Sequence, residues 1–218
     1  MDPEKLLLRI SSGEPLTQSE KKEIVELLES FHNAGQTRGL SLDEAYSFLL
    51  VIGRSHVYEY RPLIEKFLDC RDPLTVALVL EILCLEWRET AQYLERILHF
   101  ALGAVWDDED DVRHTALKIL GEYLFSVYGD NKQHEKFSVS GEKEKQVLEL
   151  LLSIFSDNEA ETWTRHVAYR ALCRAYGKDW EQIPSECQQL DFRPESREID
   201  WKMIEQIKTA STIQPSLF

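Results

Sequence analysis

The reading of this chain turns on Asp111-Val112-Arg113-His114-Thr115-Ala116-Leu117-Lys118-Ile119-Leu120-Gly121 and the residues that follow. Val112, Ala116, Ile119, Leu120, Tyr123, Leu124 and Val127 stand at relative positions 0, 4, 7, 8, 11, 12 and 15, a single helical stripe. The stretch has a second copy. In Trp163-Thr164-Arg165-His166-Val167-Ala168-Tyr169-Arg170-Ala171-Leu172 the Arg, His, Ala and Leu recur in place, and Arg170 stands where Lys118 does. The offset is 168 − 116 = 52 residues. Thr75 to Cys84 aligns more loosely with Val112 to Gly121, at 116 − 79 = 37, and Phe48 to Gly53 is a fainter copy ending in the same Ile/Leu-Gly pair. A recurring helix with one apolar stripe cannot cover that stripe alone, so neighbouring copies must cover it by stacking. The expected class is all-α: an α-solenoid of antiparallel helix pairs, with about 9–11 helices.

Helix signals elsewhere agree. Asp2-Pro3 reads as an N-cap followed by proline at the first helical position, opening a short helix to about Ile10 that Ser11 to Pro15 break. Thr17-Gln18-Ser19-Glu20 is a capping box before a helix that buries Ile24, Leu27, Leu28 and Phe31. After a loop at 33–39, Ser41 caps a helix to about Arg54. Another is expected from about His56 to Asp69, kinked at Pro62. Asp72-Pro73 repeats the cap-then-proline signature before 74–87, where only Thr75, Glu81 and Glu86 are clearly polar. Such a helix must be covered on nearly every side. From Thr90 to Val105 the stripe is Ala91, Leu94, Ile97, Leu98, Ala101, Leu102 and Val105. Residues 129–145 are polar and without a period, which reads as a mobile insertion. Helices resume near 146–156, 159–176 and 195–210, with irregular chain around Pro184 and Pro194.

The best copy of the repeated unit carries Asp108 or Asp111, Val112, Arg113, Ala116, Leu120 and Gly121. It resembles the second helix of a HEAT repeat, a family whose period is near 37–40 residues. The resemblance covers roughly 40–177. It implies one domain over 1–218, with 1–39 as N-terminal cap, 40–177 as repeats containing the 129–145 insertion, and 178–218 as C-terminal cap. It also implies that Arg113 and Arg165 are the family's arginine, bonded to acids of neighbouring turns in a structural role. The family is a scaffold for many binding tasks, so the resemblance does not by itself assign a function.

Charge narrows the field. The net charge is −14, from 39 acidic against 25 basic residues, which repels phosphate backbones and disfavours a nucleic-acid reader. A protein partner with a basic surface is attracted instead. The four cysteines, Cys70, Cys84, Cys173 and Cys187, have no CxxC spacing, so neither a zinc site nor a disulfide framework is expected. The N-terminus leads into only a short apolar stretch, unlike a signal peptide, and no apolar run reaches membrane-spanning length. A cytoplasmic protein without cofactor is the expectation.

The candidate binding residues follow from acidity and repeat position. Asp107, Asp108, Glu109, Asp110 and Asp111 form a run of five acids at an inter-helix turn, more than capping requires, and without the glycine and ligand spacing of an EF-hand. Similar clusters at Asp43-Glu44, Asp69 and Asp72, and Asp157 to Glu161 would line one edge of a stack. His114 and His166 occupy matched places on their helices. His114 is expected opposite the stripe, beside Lys118 and Phe125, on a concave solvent-facing surface. The two histidines should lie ~10 Å apart, too far to share a metal. No nucleophile motif, phosphate-cradling loop or HExxH appears. The sequence therefore points to a non-catalytic protein-binding module. Small acidic HEAT-like proteins of this kind resemble bacterial immunity proteins or antitoxins that shield a cationic toxin. The alternatives are a HEAT-like DNA glycosylase-type enzyme and a structural adaptor in a larger assembly.

Overall fold

The structure, a computed structural model, describes residues 1–34, 40–103, 110–129 and 137–211. Among these residues there is no strand, and ten α-helices carry the fold. They fall into two compact units, Met1–Tyr93 and Leu94–Phe218.

The first unit holds α1 (Pro3–Ser11), α2 (Gln18–Ala34), α3 (Leu42–Arg54), α4 (Arg61–Glu65) and α5 (Pro73–Leu80). Its helices start where short-range chemistry says they should. Asp2 accepts from the amides of Glu4 and Lys5, and Asp72 accepts from Thr75 N at 2.7 Å. Thr17 with Glu20 and Ser41 with Glu44 make reciprocal capping boxes, satisfying amides that no helix turn can reach. Ile24, Leu28 and Phe31 of α2 are buried as the period requires, while Leu27 is only half-buried.

Two expectations need correction in this unit. The helix read from His56 to Asp69 is three short pieces: a 3-10 turn at Tyr58–Tyr60, α4, and a second 3-10 turn at Lys66–Asp69. Pro62 sits in the first turn of α4 and does not kink a longer helix. Having no N–H, it cannot donate back to the preceding turn, so the chain restarts there. The apolar helix from Pro73 widens after Leu80 into π-helical turns at Glu81–Glu86, with Trp87 N bonded to Ile82 O at 2.9 Å. Its burial is as expected, since Thr75 to Leu80 and Ile82 to Cys84 are all buried. Gly53 near the end of α3 is the point of closest approach. A Cβ there would lie 2.5 Å from Ile82 Cγ1, and Trp87 Nε1 donates to Gly53 O at 3.0 Å.

Helix α6 (Thr90–Ala101) spans the boundary between the units, and α7 (Asp110–Tyr128), α8 (Glu142–Ser156), α9 (Thr162–Ala175) and α10 (Trp201–Ser211) complete the second. The buried stripe of α6 is Tyr93, Leu94, Ile97, Phe100 and Ala101. Ala91 and Leu102 are exposed, so the stripe is rotated from the expected one by its two large aromatics. Val105 lies outside the described residues. On α7 Val112, Ala116, Ile119, Leu120 and Leu124 of the stripe are buried and Leu117 joins them fully buried, while Tyr123 is half-buried and Val127 exposed. Helix α8 starts at Glu142, earlier than the polar composition suggested. Before it Val139 is buried, the Phe137 ring meets Tyr176 at 5.3 Å, and Tyr128 OH accepts from Gly141 N.

The two best copies of the repeat, α7 and α9, pack directly on each other. His114 meets Thr164, Gly121 meets Ala171, and Glu122 meets Arg174. These pairs climb both helices in the same direction, so α7 and α9 run parallel. A Cβ on Gly121 would lie 2.8 Å from Ala171 Cα, which is why this position has no side chain. The paired arginines do the same job twice. Arg113 Nε donates to Ala101 O at 3.2 Å and Arg165 Nε to Phe155 O at 3.0 Å, each reaching the last turn of the preceding helix. Their role is structural, but they bond carbonyls at these sites where the resemblance implied acids. The partial negative charge of a helix C-terminus supplies the same attraction.

Candidate functional site

The first turns of α7 and α9 lie side by side, because the helices are parallel and in register from His114–Thr164 onward. Asp111 stands in the first turn of α7, and Glu161 at the N-cap of α9 with Asp157 and Glu159 in the turn before it. Asp111 is exposed. Asp107, Asp108 and Glu109 lie outside the described residues, and Asp110 is described only as the first residue of α7. Of the expected run of five acids, Asp111 alone has a described side chain. Asp157 also folds its turn locally, accepting from Glu159 N at 2.9 Å.

One helical face runs along each copy. On α7 it carries His114, Lys118, Glu122 and Phe125, and on α9 it carries His166, Arg170 and Arg174. Across the two helices the structure joins Arg174 to Glu122 and Phe125, and His114 to Thr164 and Trp163, and it buries much of what the sequence placed in solvent. His114 and Lys118 are half-buried. His114 Nε2 shares a hydrogen bond with Thr164 Oγ1 at 3.0 Å, and its ring stands edge-on to Trp163. Phe125 lies under the Arg174 guanidinium, whose centre is 3.2 Å from the ring centroid. Arg174 grips Glu122 through Nε at 2.7 Å and Nη2 at 3.3 Å, and its side chain also reaches Trp180.

His166 departs furthest from expectation. It is 1% exposed, not part of an open concave surface. The physical reason is a segment with no period of its own. Residues 183–190 fold back over α9, so that Glu186 pairs with Arg170 at 3.1 Å and the backbone of Ser185 and Gln188 comes against the His166 ring. Burial pushes the His166 pKa below its ordinary value and nearby Arg170 adds to this, against the carbonyls of Ser185 and Gln188. The Nε2 atom has no hydrogen-bond partner among the described residues, nor has Arg170 Nη1 one turn further along.

Beside His166 opens a cleft of about 370 Å³. It is lined by Glu161, Thr162, Trp163 and His166 of α9 and by Cys187, Gln188, Gln189 and Leu190. Of these only His166 was singled out from the sequence as a binding residue. The 187–190 stretch gave no signal, since its contacts with α9 are long-range and irregular. The Glu122–Arg174 pair was within reach, because 174 − 122 = 52 repeats the offset of the matched helices. The cysteines lie apart: Cys84 and Cys173 are buried, Cys70 is half-buried and Cys187 is exposed. No cluster of three metal-ligating side chains occurs among the described residues, and no helix there is long and apolar enough to cross a membrane.

Compared with protein-family models, with curated proteins and with solved structures, the chain matches none.

Proposed function

We propose that this chain is a non-catalytic protein-binding module whose helix pairs stack in the HEAT-type α-solenoid manner within each unit. The observation that carries the reading is the repeated construction of α7 and α9. Two parallel helices with a matched arginine brace to the preceding helix and a glycine at their closest approach are what repeat stacking requires. Gly53 against Ile82 in the first unit supports the same scheme there. Stacked helix pairs are a recurrent binding scaffold, and the site, not the fold, sets the partner. Here the favoured partner is a protein with a basic surface, drawn by the −14 charge and by acids at the starts of α7 and α9. An immunity or antitoxin role in the cytoplasm, neutralising a cationic toxin, fits this chemistry.

The test is capture of binding proteins by the immobilised chain at low and moderate salt. A basic protein should be retained at low salt, released as salt rises, and lost when Asp107 to Asp111 are replaced by serine. Retention indifferent to both changes would overturn the acidic-edge reading. A structural adaptor would retain its partner through moderate salt. A glycosylase-type enzyme would bind duplex DNA at low salt, which the acid excess disfavours.

A further inference from the structure

Residues 183–190 hold on to α9 by little. Ile183 and Leu190, at the two ends of the stretch, are buried apolar anchors, and Ser185 to Gln189 between them are exposed. Its backbone bonds, Ile183 N to Trp180 O and Gln188 N to Ser185 O, are local and do not reach α9. Between the anchors the ties to α9 are the Glu186–Arg170 pair at 3.1 Å and the carbonyls of Ser185 and Gln188 against the His166 ring. A stretch with so few buried contacts belongs at the low end of local stability. What it covers is a helix face with a counterpart. His166, Arg170 and Arg174 match His114, Lys118 and Glu122 of α7 at the offset 166 − 114 = 52, and it is on that face of α7 that α9 packs. The cover lies on α9 where a further helix would otherwise pack, and the observations behind it are independent of the partner surface above.

We propose that 183–190 is an acid-released strap, closed over α9 while His166 is neutral and opening when His166 takes up a proton. The neutral ring has one N–H, which the carbonyls of Ser185 and Gln188 can accept. The imidazolium has two, and Nε2 has neither an acceptor nor access to water. A buried cationic N–H without a partner is costly, and opening the strap relieves it. Arg170 faces the ring from α9 itself, and the positive end of the α9 dipole lies about one turn away. Against these stand Glu186 of the strap, already engaged by Arg170, and Glu161 at the N-cap of α9. Cys187 lines the same cleft, and from α7 His114 meets the Trp163 ring that also touches His166. Covering the ring therefore lowers its pKa from the ordinary 6.5, and uncovering it restores that value. Closure is favoured above pH 6.5 and lost as the pH falls below it. The opening constant rises about tenfold for each pH unit by which the cover lowers the pKa.

The test is an NMR titration of the full chain from about pH 8 to about pH 5, following the histidine rings and the amides of 183–190. The His166 signal is identified by its contact with the Trp163 ring, and it should titrate below 6.5. As it does, the order parameters of Ser185 to Gln189 should fall from values near those of α9 to those of a mobile loop, while α9 and α10 keep theirs. In His166→Gln the strap should no longer respond to pH. Glu186→Gln removes the ion pair, so it should raise the opening constant about two- to fivefold and move the midpoint to higher pH. A His166 ring titrating at or above 6.5, strap amides unchanged across the titration, α9 loosening together with the strap, or a full pH response in His166→Gln would each overturn the proposal. The wild-type titration and Glu186→Gln keep the test decisive if His166→Gln does not fold.

Discussion

Replacing Gly121 by alanine sets two known effects against each other at the contact between α7 and α9. A Cβ at this position would stand 2.8 Å from Ala171 Cα and 3.0 Å from both its Cβ and its carbonyl oxygen. None of those atoms can rotate away. Ordinary contact begins at 3.4 Å, so the helices must separate by about 3.4 − 2.8 = 0.6 Å or distort locally. Taken alone, Gly→Ala in a helix interior stabilises by about 1 kcal/mol. Overpacking a tight contact costs about 1–3 kcal/mol, so the net expectation is a loss of about 0–2 kcal/mol. Gly121→Val adds branched methyls to the same gap and should cost about 3 kcal/mol or more. Urea unfolding followed by circular dichroism gives the stability, and amide exchange of residues 162–175 shows whether α9 loosens. If Gly121→Ala were more stable by the full helix-propensity gain, with α9 exchange unchanged, the two helices would not touch here. The parallel packing would then be wrong.

Other consequences are open to measurement. Gly53→Ala should cost less than Gly121→Ala, because the atoms it meets belong to the Ile82 side chain, which can change rotamer. Arg165→Met should lose about 2–4 kcal/mol in denaturant titration, from a charged hydrogen bond to Phe155 O and the guanidinium stacked 4.5 Å from the Phe192 ring centroid. Arg113→Met should lose about 1.5–3 kcal/mol, and a neutral result at both sites would refute the brace. Glu20 is held at about 2, below its ordinary 4.5, by Arg9 and by the amide and hydroxyl of Thr17. Its folded pKa is depressed, so its stabilisation is present above pH 4.5 and is lost as pH falls towards 2. Glu20→Gln should flatten the acid limb of the stability curve, and an unchanged limb would contradict this. Burial pushes the thiols of Cys84 and Cys173 up to about 12 and about 11. A thiol reagent at mildly alkaline pH should therefore reach Cys187 first, and Cys84 and Cys173 only after unfolding.

How much of this was legible depends on the range of the interaction. Asp2, Thr17, Ser41 and Asp72 announce their helices because a cap and the amides it satisfies lie within a few residues of each other. The α7 and α9 copies were legible because two helices in the same packing environment keep the same residue types at the same positions. Burial on α6 was read one notch off. Ala91 and Leu102 fit the helical period as well as Tyr93 and Phe100 do, and only the neighbouring surface decides between two faces that share Leu94, Ile97 and Ala101.

The candidate site shows the same division more sharply. Sequence alone determined that the chain is helical and that α7 and α9 carry matched stretches with Arg113 and Arg165 at the same place, since both are written in period and spacing. Tertiary structure decided that both arginines hold a helix C-terminus, and that α7 and α9 lie parallel with Gly121 pressed on Ala171. It also decided that His166 is covered by 183–190. That segment has no periodicity to advertise its destination. Its place is set by contacts to α9 across many residues, such as the 16 between Arg170 and Glu186, and such contacts leave no mark in local pattern.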